Sequence, residues 1–258
     1  MKLGLVSITF RKLSVEQIVE LVREAGLDGV EWGGDIHVPH GDLETARRVA
    51  SLTTEAGLET AAYGSYYRAG EPEDQEGNPM FQAVLDTARI LGTSTIRVWA
   101  GKRGSADADA VYRAQVVADL ERIVRMASAA NIAIALEFHG GTLTDTTAST
   151  RALLNEVAGI SVKFYWQPPL GVEKEAALAQ IRMLAPHLSN LHVFAWNWAE
   201  NGFDRRSLQE HAGDWAEYLA TAREVAGADR WALLEFVRDD DPEQFKADAE
   251  SLKRLAGK

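Results

Sequence analysis

Residues 132–140 read Ile-Ala-Ile-Ala-Leu-Glu-Phe-His-Gly, and the alternation within them decides the fold. Ile132, Ile134, Leu136 and Phe138 form one set at a spacing of two; Ala133, Ala135, Glu137 and His139 form the other. A β-strand sends successive side chains to opposite faces, so bulk collects on one side and small residues on the other. In a parallel barrel the bulky face meets the surrounding helices and the small face lines the interior. That reading turns Glu137 inward near the top and puts His139 at the mouth.

Working outward, three later runs repeat the design: VKFYWQPP (162–169), LHVFAW (191–196) and WALLEFV (231–237) each carry one polar residue near the end, Gln167, His192 and Glu235. The same parity puts Tyr165 with Gln167, His192 with Phe194 and Trp196, and Leu233 with Glu235. Along the whole chain, short apolar runs alternate with stretches of helical spacing eight times. The strand candidates are 3–9, 29–32, 59–65, 95–100, 132–138, 162–167, 191–195 and 232–237. Ser14 with Gln17 makes a capping box, Gly26, Gly57 and Gly92 stop helices, and Asp241-Pro242 opens the last one. Eight alternating units in 258 residues predict an α/β protein, a single (β/α)8 TIM barrel in one domain, 1–258. No Gly-x-Gly-x-x-Gly turn supports an open dinucleotide-binding sheet.

Composition narrows the chemistry. The absence of cysteine excludes disulfides and thiolate metal sites, and fits a cytoplasmic protein. No apolar run is long enough for a membrane span, and the start is too soon interrupted for a signal peptide. A net charge of −11 repels phosphate backbones, which argues against a nucleic-acid partner.

Because all strand ends of a parallel barrel meet on one rim, Glu137, Gln167, His192 and Glu235 are expected to converge there and hold a divalent metal. Oxygen ligands with one imidazole suit Mn²⁺ or Mg²⁺, and the same donors accept Zn²⁺ or Co²⁺. With GVEWGGD (29–35) and LEFHGGT (136–142), these endings make the chain resemble the xylose-isomerase-like TIM barrels, the sugar phosphate isomerase/epimerase family, over almost its whole length. The resemblance implies a metal held by Glu137, His192 and Glu235, with both glutamates moving protons. It also implies a homo-oligomer, since related barrels are often dimers or tetramers. Two positions depart from the family's ketose epimerases: Gln167 replaces an aspartate, and Leu170 a histidine. A neutral amide is a weaker ligand than a carboxylate and leaves two formal negative charges, rather than three, around the ion.

Aromatic residues crowd the expected strand ends: Trp32, Tyr63, Tyr66, Tyr67, Trp99, Trp166, Trp196 and Trp198. Such a rim suits a small carbohydrate, with flat faces against C–H bonds. Trp32, Tyr66, Trp99, Trp196, His37 and His139 are read as substrate contacts, and Arg97 as a partner of Glu31 or, alternatively, an anion binder. Three successive aspartates after the last strand disfavour a phosphate there, so an unphosphorylated substrate is expected. The main expectation is a metal-dependent sugar isomerase or epimerase, with Glu137 and Glu235 as base and acid. The alternative is a lyase or dehydratase expelling a β-leaving group from an oxidised sugar, for which the departures at 167 and 170 leave room. A barrel that only binds sugar is the non-enzymatic reading.

Overall fold

The structure of the chain, a computed structural model, describes residues 1–75, 77–169, 171–199, 202–227 and 229–258. Leu170 and the side chain of Trp198 lie outside the described residues. The described residues form ten strands: β1 (Lys2–Val6), β2 (Gly29–Gly33), β3 (Glu59–Arg68), β4 (Thr95–Trp99), β5 (Ala133–Glu137), β6 (Val162–Trp166), β7 (Leu188–Val193), β8 (Trp196–Ala199), β9 (Gly202–Arg205) and β10 (Trp231–Leu234). Eight of them close into a barrel in the order β1-β10-β7-β6-β5-β4-β3-β2, a TIM barrel as the alternation predicts. The helices are α1 (Val15–Glu24), α2 (Leu43–Glu55), α3 (Phe81–Leu91), α4 (Ala110–Ser128), α5 (Thr147–Glu156), α6 (Lys174–Leu184), α7 (Ala212–Ala226) and α8 (Pro242–Ala256). Among the described residues no helix is long and apolar enough to cross a membrane.

Local chemistry explains where elements begin and end. Ser14 and Gln17 form both bonds of the capping box that starts α1, whose buried face is Val15, Ile18, Val19, Leu21 and Val22. Gly92 ends α3 in the left-handed region at φ 72°, which glycine adopts without a Cβ clash. Asp241 caps α8, with Pro242 at its first position.

Two compact units make up the chain: Met1–Trp32, Ser51–Ala61 and Trp166–Lys258 in one, Gly33–Ala50 and Ala62–Tyr165 in the other. In the first, Leu3, Leu5, Val30, Leu191, Val193, Ala232 and Leu234 are buried strand residues, and Phe10 meets Phe245 edge-on at 5.7 Å. In the second, Ile96, Val98, Ile134, Leu136 and Phe164 have the same role, and Tyr67 packs on Phe81 at 5.2 Å.

Two aromatic expectations are corrected by strand parity. Trp32 is offset by one from Glu31 and faces the helix layer, fully buried, its indole N–H donating to Thr53 Oγ1 of α2 at 3.2 Å. It is a core residue and not a rim contact. Trp166 likewise donates to Gln180 of α6 at 3.2 Å and packs against Trp215 and Tyr218 of α7. The β8–β9 hairpin, antiparallel with Trp196 opposite Arg205, was not foreseen.

At the base of the first unit the chain passes close to itself at Gly29. A Cβ there would lie 2.2 Å from the Glu59 carbonyl oxygen and 2.8 Å from the Trp231 ring. Because the nearer obstacle is backbone, Gly29→Ala is expected to lower stability by about 1–3 kcal/mol. Urea unfolding should show a lower midpoint at unchanged m-value; an unmoved midpoint would contradict this packing.

Candidate functional site

His192, one residue before the end of β7, has both ring nitrogens facing carboxylates: Nε2 lies 3.4 Å from Glu31 Oε2, and Nδ1 lies 3.5 Å from Glu235 Oε2. All three side chains are buried. Glu31 comes from β2, and Glu235 directly follows β10, whose Leu233 is in register with His192. Glu31 was read only as an arginine partner. Its parity with Gly29 and Gly33, opposite to that of Trp32, was the available sign that it faces inward.

Glu137, at the end of β5, is held by two donors from β4. Arg97 Nη1 and Trp99 Nε1 both bond Glu137 Oε2, the latter at 2.5 Å. Arg97 and Trp99 stand two apart on β4 and so share a face, and β4 pairs with β5 through Arg97 opposite Ala135. An arginine and an indole N–H on one oxygen match an ionised carboxylate. An aromatic shelf continues from there. The Arg97 guanidinium lies 5.1 Å over the Tyr66 ring, Tyr66 meets Trp99 edge-on at 5.4 Å, and Trp99 stacks on His139 at 4.6 Å. His139 Nδ1 is 2.7 Å from the Gly140 carbonyl oxygen. A carbonyl only accepts, so Nδ1 carries a proton in this contact, and in the neutral ring Nε2 is the nitrogen that bears the lone pair.

Glu137, His192 and Glu235 each offer a ligand atom, all within 4.8 Å of one another, and all three are buried. This group could hold a metal. The donor set fits one: two buried carboxylates and an imidazole repel or titrate in isolation, whereas a divalent cation satisfies all three together. Gln167 directly follows β6 and is half-buried.

The other residues expected to touch substrate have partners within the protein. Trp196 sits in an aromatic stack, 4.2 Å from Phe194 and 5.2 Å from Phe203, its N–H directed at the Phe236 carbonyl at 3.4 Å. His37 is buried, with its backbone N–H on the Gly33 carbonyl. His40 is tied to Tyr63: the phenol donates to the Val38 carbonyl at 2.8 Å, so His40 Nδ1–H is the donor in their 2.7 Å contact. Burial lowers the His40 pKa to about 4.

A family model described as the xylose isomerase-like TIM barrel matches residues 19–255. The chain belongs to that family. Over 98% of its length it is 28% identical to a 3-dehydroshikimate dehydratase of Bacillus anthracis, covering 96% of that protein. The crystal structure of the probable 3-DHS dehydratase AsbF, involved in petrobactin synthesis in the same organism, superposes with a TM-score of 0.83 at 25% identity, covering 98% of this chain and 99% of that one. A D-allulose 3-epimerase from Methylomonas sp. shares the fold at 15% identity and a TM-score of 0.73, covering 99% and 98%. These likenesses overturn the isomerase or epimerase expectation. The full-length resemblance is to dehydratases, which are lyases, and the epimerase shares only architecture. Proton removal beside a carbonyl begins both reactions, so the ligands alone could not separate them.

Two outcomes follow from this geometry. Adding Mn²⁺ or Zn²⁺ in large excess over its dissociation constant should raise the thermal midpoint on the order of 5 °C or more. His192→Ala should remove that rise, and an unshifted wild-type midpoint would deny the site a metal. For His40, the unfolded side chain takes up a proton near pH 6.5 and the folded one only near 4. Its neutral form therefore stabilises the fold above pH 6.5, and that contribution falls away as pH drops toward 4, on the order of 2–3 kcal/mol in all. Chemical denaturation across that window should show a shallower loss in His40→Gln than in wild type; parallel losses would refute the assignment.

Proposed function

We propose that the protein is a metal-dependent dehydratase that removes water from a cyclic β-hydroxy ketone of the dehydroshikimate class. The observation that carries this reading is the full-length likeness to a 3-dehydroshikimate dehydratase. The buried Glu137, His192 and Glu235 group supports it, as the place where such chemistry would sit. Glu137, His192 and Glu235, with Gln167 as a further oxygen donor, would hold the ion, Mn²⁺ or Mg²⁺ by the balance of oxygen ligands. When bound, the ion would supply Lewis acidity that stabilises negative charge on the substrate's carbonyl oxygen.

Elimination asks first for a base beside the carbonyl. His139 Nε2, left with its lone pair by the Nδ1 bond to Gly140, takes the proton from the carbon next to the ketone. The Trp99 ring stacked against His139 fixes the plane of the imidazole. The electron pair released from the C–H bond forms the new C=C bond as the C–O bond of the β-hydroxyl breaks, and the leaving oxygen takes a proton and departs as water. His139, now protonated, is the source of that proton, so the ring returns to its starting state. Arg97 and Trp99 hold Glu137 ionised and in place throughout. His139 thus acts as base, a different role from the substrate contact read from sequence.

Incubation with 3-dehydroshikimate and Mn²⁺ should produce the aromatic absorbance of the dehydrated ring. His139→Asn should lower kcat by about 10²–10⁴ while leaving metal content unchanged. Recovery of the substrate with its skeleton intact would overturn the reading.

A further inference from the structure

Away from the Glu137, His192 and Glu235 group, the segments following β3 and β4 enclose a cavity of about 290 Å³, at the lower end of the ~300–1,000 Å³ usual for small-molecule sites. Arg68, Lys102 and Arg103 line it, with Glu71, Tyr112 and Gln115. Among the described residues Glu71 is the one carboxylate in that lining, and it already has partners. Glu71 Oε1 accepts from the Tyr112 hydroxyl at 2.7 Å, and its Oε2 lies 3.1 Å from Lys102 Nζ.

The two arginines are different. Arg68 lies 5.2 Å from the Trp99 ring centroid and Arg103 lies 4.4 Å from that of Tyr112. Among the described residues neither reaches a carboxylate. Arg113 and Arg122, by contrast, are each tied to an acidic partner. An aromatic face holds a guanidinium in position without consuming its in-plane N–H donors, which are the ones that grip an oxyanion in a fork. The backbone favours the arrangement as well: at Gly101, φ 82°, a Cβ would lie 2.3 Å from the Tyr112 hydroxyl, so glycine lets the β4 loop close on Tyr112 and bring Arg103 over it.

We propose that this cavity is an oxyanion-binding site, taking a small carboxylate or phosphate between Arg68 and Arg103. It is separate from the reacting centre, although Arg68 rests on the same indole that donates to Glu137, so an occupant would be felt at Trp99.

The test is calorimetric titration of the full chain at low ionic strength with inorganic phosphate and, separately, with benzoate. Saturable binding of at least one is expected, and which one binds distinguishes a phosphoryl from a carboxylate ligand. Arg68→Gln and Arg103→Gln should each weaken it by about tenfold or more, as loss of a charge-assisted hydrogen bond implies. Arg113→Gln, whose arginine pairs with Glu156, should bind like wild type. No saturable heat with either anion, or binding that survives both substitutions in the cavity, would overturn the proposal. Arg103 is exposed, so its variant keeps the test free of folding effects.

Discussion

Burying carboxylates in a barrel is the constraint on which the rest of this structure depends. Glu31, Glu137 and Glu235 are all withdrawn from water, and a buried unpaired carboxylate costs several kcal/mol or gives up its charge. Other strands bring polar groups to them: Arg97 and Trp99 donate to Glu137, and the His192 ring stands between Glu31 and Glu235. These partners hold the acids but leave donor atoms of Glu137, His192 and Glu235 within 4.8 Å of one another. An arrangement that would be strained as an apolar core is suited to a cation.

Strand parity links that electrostatic problem to the fold. A single offset along β2 sends Glu31 one way and Trp32 the other, and the same rule on β4 aligns Arg97 with Trp99. Gly4 in the middle of β1 and Gly29 at the start of β2 permit close approach there, since a Cβ on Gly4 would lie 2.5 Å from the Gly29 carbonyl oxygen. The helices supply a separate apolar layer, in which Trp166, Trp215 and Tyr218 interlock. Polar chemistry and apolar packing are thus divided between the two faces of the same strands.

Much of this was legible before any coordinates. The Ile-Ala alternation of 132–138 gave Glu137 its direction, and the repeated endings of the later strands located His192 and Glu235. Trp32 and Trp166 were misjudged because a tryptophan near a strand end can face either side, and composition does not record parity. The Arg97 bond to Glu137 needed the β4–β5 register, a relation between distant segments that no local pattern encodes. The likeness to dehydratases was not foreseen for a chemical reason: isomerisation and elimination both begin with proton removal beside a carbonyl. What separates them is the fate of the β-oxygen, which depends on small differences in the pocket wall.

The most direct measurement is anomalous diffraction from a crystal of the protein soaked in Mn²⁺. A single strong peak within about 2.0–2.4 Å of Glu137, His192 and Glu235 donor atoms is the result this account requires. A map with no peak there, or with manganese bound elsewhere while those three side chains keep to their protein partners, would contradict it.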